Sequence, residues 1–315
     1  MVVMKKVNAS NLAEEFRVIG EVLRRNKGSY VAVDTEFPGI VHKPNKPYFQ
    51  LTNEEHYSVL RKNVNDLKLI QLGLTISDHQ KNIAAVWEFN FREFDVENHP
   101  QDLDSIDLLR KQGMDFRANR ETGIRAEDFK ELFLNSELGY HSSRIHNREN
   151  WVSTGIELET RSDPKLTWVF FHCNHDIGYL IRMLTGNPLP AKLEDFMDLV
   201  WWYLGDNIYD LKERIKAEPF GVEWVGLDKV AEILNVKRIG GESHQAGSDS
   251  LLTLLCFFEW RRIRQGLRGW EDLQFNYKLH GLEVPDLIKS STEAHQRSSS
   301  SSSNNNNNKL QLPPA

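Results

Sequence analysis

The stretch Tyr30-Val31-Ala32-Val33-Asp34-Thr35-Glu36-Phe37 combines a short apolar run with two carboxylates. The β-branched run predicts a buried strand, and because side chains alternate along a strand, Asp34 and Glu36 point to the same face. Two like charges this close, at the edge of a buried sheet, are costly unless a cation lies between them. Hard divalent cations that prefer oxygen ligands, such as Mg²⁺ or Mn²⁺, meet that need.

The sequence around this stretch predicts an α/β fold. Further strands are expected at residues 67–76, 84–91, 167–171 and 236–239, and the turn between the first two of these is short enough for a hairpin. Helical spacing of apolar residues predicts helices at residues 11–25, 54–65, 104–112, 125–134, 177–184, 195–204, 227–234 and 251–263. This order indicates one domain, residues 1–285, with a mixed five-stranded sheet flanked by helices. Residues 286–315 are predicted to form a disordered tail rich in Ser and Asn.

Composition and charge narrow the class of protein. Of 315 residues, 40% are apolar and 27% are charged, which excludes a fibrous or wholly disordered chain. No apolar run is long enough for a membrane span, the N-terminus does not resemble a signal peptide, and two cysteines favour a reducing intracellular compartment. The net charge of −6 argues against binding nucleic acid mainly by covering phosphates with Lys and Arg. Any nucleic-acid function therefore needs positive charge from elsewhere, and divalent metal is the obvious source.

Three more residues are candidates for the same site. Asp176 lies at the junction of the fourth strand and its helix, Asp249 begins a helix that is apolar nearly all round, and His244 lies in the loop before that helix. Each has a simpler explanation, because both aspartates could cap their helices and a single loop histidine is usually a surface residue. These explanations become difficult to sustain when all three follow an acidic pair in one α/β domain.

Such residue types suit two-metal hydrolysis of a phosphodiester. Three or four carboxylates hold two ions about 3.5–4 Å apart, one ion activates a water, and both neutralise charge on the phosphate. A neutral histidine takes the proton from that water. Two divalent ions against four carboxylates leave a nearly neutral site that accepts an anion, which reconciles the chemistry with the acidic net charge.

Several phrases of the sequence resemble the Caf/Pop-type deadenylases, poly(A)-specific exoribonucleases of the Not complex within the DEDDh exonuclease superfamily. The phrases lie at residues 34–39, 69–75, 87–95, 105–109 and 244–253, within a match that spans residues 11–284. The resemblance implies an RNase H-like fold and 3′-to-5′ hydrolysis of mRNA poly(A) tails to 5′-AMP. It implies two divalent cations, Mg²⁺ or Mn²⁺, bound by Asp34, Glu36, Asp176 and Asp249, with His244 as general base. It also implies single-stranded poly(A), a Not-complex scaffold and a second deadenylase as partners, no membrane, and a location in the cytoplasm and also the nucleus.

Phe37 follows the acidic pair, and we predict that it stacks on a terminal base; packing in the core is the alternative. The sequence departs from the family in two places. Residues 173–176 read Cys-Asn-His-Asp where the family shows Ser-Gly-x-Asp, which could change the metal geometry or give His175 a contact near the scissile bond. The polar stretch 139–165 is longer than expected between these motifs and is predicted to form a surface loop.

Two other functions remain open. One is an exonuclease with the same chemistry but another nucleic acid as substrate, against which the phrases outside the metal ligands argue. The other is a non-catalytic scaffold that keeps the fold for protein contacts. All five catalytic residue types are present, which argues against that loss of activity.

Overall fold

The apolar runs of the sequence assemble into one six-stranded mixed sheet. The computed structural model describes residues 2–26, 28–139, 165–216, 225–265 and 279–282. The strands are β1 (Met4–Val7), β2 (Gly28–Glu36), β3 (Gln71–Asp78), β4 (Ile83–Asn90), β5 (Lys165–Phe170) and β6 (Ile208–Asp210). Their order in the sheet is β1-β4-β3-β2-β5-β6, with β3 antiparallel to both of its neighbours and every other pair parallel. The sheet confirms the predicted α/β class with a mixed sheet flanked by helices, and it has six strands where five were expected.

The strand predictions fail where the strands are shortest. The strand predicted at residues 236–239 is wrong, because this segment is irregular and connects two helices. The structure instead pairs β1 with β4 and β6 with β5 at the two edges of the sheet. With four and three residues, these edge strands are too short to show an alternating apolar pattern.

Ten helices are found in the part of the chain that the structure describes. They are α1 (Leu12–Arg25), α2 (Asn53–Asp66), α3 (Leu103–Lys111), α4 (Phe116–Thr122), α5 (Ala126–Leu134), α6 (Asn174–Thr185), α7 (Leu193–Leu204), α8 (Leu211–Lys216), α9 (Leu227–Ile233) and α10 (Ala246–Gln265). The predicted helices are confirmed, and only α4 and α8 were not expected. No helix among these residues has the length and apolar character needed to cross a bilayer.

The sheet has an apolar core on each face. On one face Val31 and Val33 of β2 pack into a core that includes side chains of α1, α2, α5, α6 and α7. On the other face Ala32 packs with α8, α9 and α10. Because side chains alternate along a strand, Asp34 and Glu36 lie on the α10 face, and Thr35 between them lies on the α6 face.

The parallel strands β2, β5 and β6 have their carboxyl ends side by side, at Glu36, Phe170 and Asp210. This row of strand ends is the edge of the sheet on which the site lies. Helix α6 begins shortly after β5 ends, so its N-terminus also lies at this edge. The carboxyl ends of parallel strands are where α/β sheets commonly bind ligands. The predicted domain boundary at residue 285, the tail 286–315 and nearly all of the stretch 139–165 lie outside the described residues.

Candidate active site

A glycine on β3 lets α10 approach the acidic pair. Asp34 pairs with Gly73 and Glu36 with Gln71 in the β2–β3 register. A Cβ atom at Gly73 would overlap the carbonyl group of Ala246, the first residue of α10. The absence of that atom allows the N-terminus of α10 to lie directly on β3, so the first turn of the helix reaches the carboxylates of β2.

Two buried side chains from the sheet hold that N-terminus. The backbone N–H of Ala246 donates to Oε1 of Gln71 at 2.9 Å, and the N–H of Gly247 donates to the Glu88 carboxylate. The first N–H groups of a helix have no partner within the helix, so these acceptors satisfy them. Burial raises the pKa of Glu88, although Lys6 and the N–H of Gly247 lower it. Gln71 and Glu88 lie within the segments 69–75 and 87–95 that resemble the family, but nothing in the spacing of those segments indicates this role.

Asp249 lies within the first turn of α10, so it is not the N-cap residue. Its Oδ2 accepts a hydrogen bond from the backbone N–H of His244 at 2.8 Å, and its Oδ1 lies 2.6 Å from Nη1 of Arg238. Arg238 also pairs with Asp228 at 2.7 Å. Arg238 was missed as a functional residue, because its segment was interpreted as a strand.

Asp176 reaches the same place from the opposite face of the sheet. It is the third residue of α6, whose N-cap position is taken by Cys173, so the capping alternative is wrong for Asp176 as well. Its Oδ1 accepts a hydrogen bond from Oγ1 of Thr35 at 2.6 Å. Because Thr35 lies between Asp34 and Glu36, this bond brings Asp176 beside the acidic pair.

Burial opposes the ionisation of all four carboxylates, and neighbouring charges add to this effect at Asp34 and Glu36. Burial raises the pKa of Asp34 well above its usual range, and the charges of Asp176, Asp249 and Glu36 raise it further. Burial, followed by the charges of Asp249 and Asp176, does the same to the pKa of Glu36. Burial raises the pKa of Asp176 to about 7 against the hydrogen bonds from Thr35, and raises that of Asp249 against the ion pair with Arg238. Crowded carboxylates of this kind fit divalent cations, which would restore their ionised form.

His244 is exposed in the loop before α10, with a backbone φ of 60°. One ligand atom each from Glu36, His244 and Asp249 lie within 4.8 Å of one another, so these three residues could hold a metal ion. The geometry therefore allows His244 to be a ligand as well as the base expected from the sequence. The structure brings all five predicted residues, from three separate segments of the chain, to one edge of the sheet.

Phe37 stacks on His175, with ring centroids 4.9 Å apart and an angle of 13° between the planes. The centroid of its ring also lies 5.1 Å from that of Tyr179, and the ring is half-buried against the core on the α6 face of the sheet. This packing supports the core alternative for part of the ring, and base stacking stays a prediction. His175, at the variable position of the motif in which Cys173 and Asn174 depart from the family, is the partner in this stack, and burial lowers its pKa to about 4.

Comparison with known proteins agrees with this geometry. Residues 7–163 match the model of the CAF1 family ribonuclease. The chain is 38% identical over 294 residues to the probable CCR4-associated factor 1 homolog 10 of Arabidopsis thaliana, covering 90% of this chain and 94% of the relative. The chain belongs to the CAF1 ribonuclease family. It is also 36% identical over 261 residues to the poly(A) ribonuclease pop2 of Schizosaccharomyces pombe, covering 82% of this chain and 69% of that protein.

Solved structures of this CAF1 family show the same fold. The S. pombe Pop2p structure in its Mg²⁺- and Mn²⁺-bound form has a TM-score of 0.71 at 35% identity, and the match covers 89% of this chain and 99% of that one. A CAF1 chain co-crystallised with the MIF4G domain of yeast NOT1 is also similar. There the TM-score is 0.60 at 27% identity, covering 83% of this chain and 89% of that chain.

Proposed function

We propose that this CAF1 family member is a 3′-to-5′ exoribonuclease that shortens mRNA poly(A) tails and releases 5′-AMP by two-metal hydrolysis. The observation that carries the proposal is a set of four carboxylates at one place whose pKa values are all raised by burial, with the charges of Asp176 and Asp249 raising those of Asp34 and Glu36 further. The similarity to the poly(A) ribonuclease pop2 supports the choice of substrate.

The carboxylates of Asp34, Glu36, Asp176 and Asp249 would hold the two ions. The S. pombe relative with bound Mg²⁺ and Mn²⁺ supports this choice of metals. When bound, the ions supply an activated water and offset the negative charge of the phosphate. Thr35 and Arg238 orient two of the ligands, because the hydrogen bond from Thr35 holds Asp176 and the ion pair with Arg238 holds Asp249.

We assign His244 as the general base. Its backbone N–H is held by Asp249, and its ring lies beside Glu36 and Asp249 at an exposed position. An unprotonated ring nitrogen there can take a proton from the attacking water and pass it to solvent. We assign the free part of the Phe37 ring to stacking on the terminal base, because every base offers a flat apolar face.

Assembly and location are part of the same proposal. The complex of NOT1 with a similar CAF1 chain supports a Not-type scaffold as partner. A second deadenylase in the same assembly, and a location in the cytoplasm and also the nucleus, follow from the family resemblance. Imaging of the tagged chain tests the location, and co-purification with the scaffold tests the assembly.

A side-by-side assay of three substrates tests the activity. With Mg²⁺ or Mn²⁺, we expect 5′-labelled oligo(A) to shorten from its 3′ end with release of 5′-AMP, and oligo(C) and oligo(U) to persist. Asp34→Ala removes one ligand of the two-metal site. We expect the rate to fall by about a thousandfold, which corresponds to about 4 kcal/mol of lost transition-state stabilisation. Asp128→Ala, which removes an exposed acid on α5, should match the unaltered chain.

Each contrary result points to one of the alternatives. Equal shortening of all three oligonucleotides leaves the nuclease and contradicts poly(A) specificity. No shortening of any substrate by a folded, metal-loaded chain favours the non-catalytic scaffold.

A further inference from the structure

The row of strand ends that carries the acidic site at β2 also carries two basic residues, at the ends of β5 and β6. His172 follows the end of β5, and Lys212 follows the end of β6. Adjacent strands lie about 4.8 Å apart, so the end of β6 is roughly 10 Å from the acidic end of β2. A single strand of RNA whose 3′ end lies at the carboxylates can extend along this edge.

Lys212 is a half-buried cation at that distance. Its Nζ lies 3.4 Å from Nδ1 of His172 and 5.7 Å from the centroid of the Phe171 ring. Within the described part of the chain, no carboxylate oxygen lies within ion-pair distance of this Nζ. Lys216, one helical turn further along α8, differs because its Nζ is 2.6 Å from Glu213. Burial and the charge of Lys216 lower the pKa of Lys212, while the charges of Asp210 and Glu213 raise it from a longer distance. With no carboxylate in direct contact, the Lys212 ammonium can bind an anion from outside.

A single buried carboxylate fixes Lys212 and His172 relative to each other. Oδ1 of Asp210 accepts the backbone N–H of His172 at 2.9 Å and that of Lys212 at 3.0 Å. His172 is held at a backbone φ of 63°, a left-handed conformation that non-glycine residues adopt only when the surroundings enforce it. The charge of Asp210 also contributes to the raised pKa of Asp176, which places this support close to the acidic site.

His172 directs the lysine without adding charge. Burial, together with the neighbouring cationic and imidazole groups, lowers the pKa of His172 to about 2, so its ring is neutral. The Lys212 ammonium can then donate to the lone pair on Nδ1, which leaves two of its three N–H donors for a ligand. A compact ammonium is suited to a phosphate contact that does not depend on base identity.

We propose that Lys212, oriented by His172, binds a backbone phosphate of the substrate on the 5′ side of the scissile bond. The proposal rests on the proposed nuclease function and extends its site along the sheet edge. In a chain of net charge −6, this contact supplies attraction for RNA that the metal site alone does not provide.

Salt dependence of kcat/KM for an eight-residue oligo(A) tests the contact. Removing one phosphate contact to a single strand should reduce the slope of log(kcat/KM) against log[salt] by about 0.7. We expect this reduction in Lys212→Gln, with KM raised more than kcat is lowered, and we expect Lys212→Arg to restore the slope. Lys81→Gln is the matched control, because Lys81 is also half-buried over an aromatic ring, that of Phe258, and lies in the β3–β4 turn at the opposite edge of the sheet. It should keep the original slope.

Substrates with one neutral methylphosphonate linkage locate the phosphate. The unaltered chain should lose several-fold in kcat/KM when one particular linkage on the 5′ side is neutral, and Lys212→Gln should lose nothing further at that linkage. If both chains respond equally to every neutral linkage, or if the salt slope of Lys212→Gln is unchanged, the inference is wrong while the nuclease stands. The scan of the unaltered chain keeps the test valid even if the variant folds poorly. An unaltered chain that degrades no oligo(A) contradicts the proposed function instead.

Discussion

At the scale of single residues, the four acids have unequal support. Asp176 accepts a hydrogen bond from Thr35, and Asp249 pairs with Arg238. Among the described residues, no hydrogen bond or ion pair reaches the carboxylate of Asp34 or Glu36, and both have pKa values well above the usual range. Asp34 and Glu36 therefore depend most on bound cations, and Asp249 depends on Arg238.

Removing Arg238 should change the pH profile. Arg238 lowers the pKa of Asp249 against the effect of burial, so Arg238→Gln should raise that pKa and shift the acid limb of log(kcat/KM) to higher pH. Arg238→Lys should recover part of the shift, since the charge is retained. The measurement is kcat/KM on oligo(A) from pH 5 to 9.

Arg262→Gln is the control for this prediction. Arg262 is an exposed arginine near the other end of α10, where it pairs with Glu259. Its removal should leave the acid limb in place. An acid limb that stays unchanged in Arg238→Gln would show that the ion pair does not tune Asp249.

The acidic site could be proposed from sequence because its residues carry their own chemical signal. Asp34 and Glu36 lie two residues apart on a strand and so share a face, and Asp249 precedes an apolar helical run in which a charge needs an explanation. The residues that orient them carry no such signal. Thr35, Gln71 and Arg238 act through Asp176, Ala246 and Asp249, partners that are close only in the folded chain, 11 to 175 residues away in sequence.

At the scale of elements, the site depends on how closely α10 lies on β3. Gly73→Ala would place a Cβ atom against the backbone of Ala246, and backbone cannot rotate away as a side chain can. Overpacking of this kind costs about 1–3 kcal/mol in the free energy of unfolding. We expect Gly73→Ala to lower stability in urea and also kcat/KM at a temperature where the variant is fully folded, because Asp249 moves with the helix.

Gly226→Ala is the matched glycine control. A Cβ atom at Gly226 meets no other atom within 4 Å, and its φ of −80° suits alanine. This variant should keep its activity. If Gly73→Ala loses stability and retains full activity when folded, the position of α10 does not control the site.

Elements were predictable in proportion to their length. The periodic helices and the paired central strands follow from apolar spacing, whereas β6 has three residues and β1 has two lysines among four. The strand expected at residues 236–239 has apolar residues, yet Arg238 within it is used for the ion pair with Asp249. Of its two apolar residues, Val236 packs against the core that includes α10, whereas Ile239 is exposed.

At the scale of the whole molecule, a carboxylate joins two distant segments. Glu213 of α8 lies 2.5 Å from Nδ1 of His280 in the segment 279–282. Burial alone would raise the pKa of Glu213, but the hydrogen bonds from His280 and Lys216 outweigh burial and lower it to about 2. The ionised carboxylate therefore stabilises the folded chain.

This linkage predicts how stability depends on pH. The pKa of Glu213 is about 2 in the folded chain against an ordinary 4.5, so its contribution is complete above pH 4.5 and is lost as the pH falls toward 2. The difference in free energy of unfolding between the unaltered chain and Glu213→Gln should be constant from pH 8 to 5 and shrink below pH 4.5. Urea unfolding at several pH values measures it, with the exposed Glu232→Gln as control. A difference that grows toward low pH contradicts the assignment.

The central claim is that mutual repulsion among four acids at one sheet edge is relieved by divalent cations. The most direct measurement is the melting temperature of the unaltered chain and of Asp34→Asn, with EDTA and with increasing Mn²⁺. Without metal, Asp34→Asn should melt higher, because a buried carboxyl group with negatively charged neighbours is gone. Mn²⁺ should reverse the order, since ions at 100 times their dissociation constant stabilise the folded chain by about 2.7 kcal/mol. If Asp34→Asn melts lower in EDTA and Mn²⁺ raises both chains equally, these carboxylates do not form the metal site.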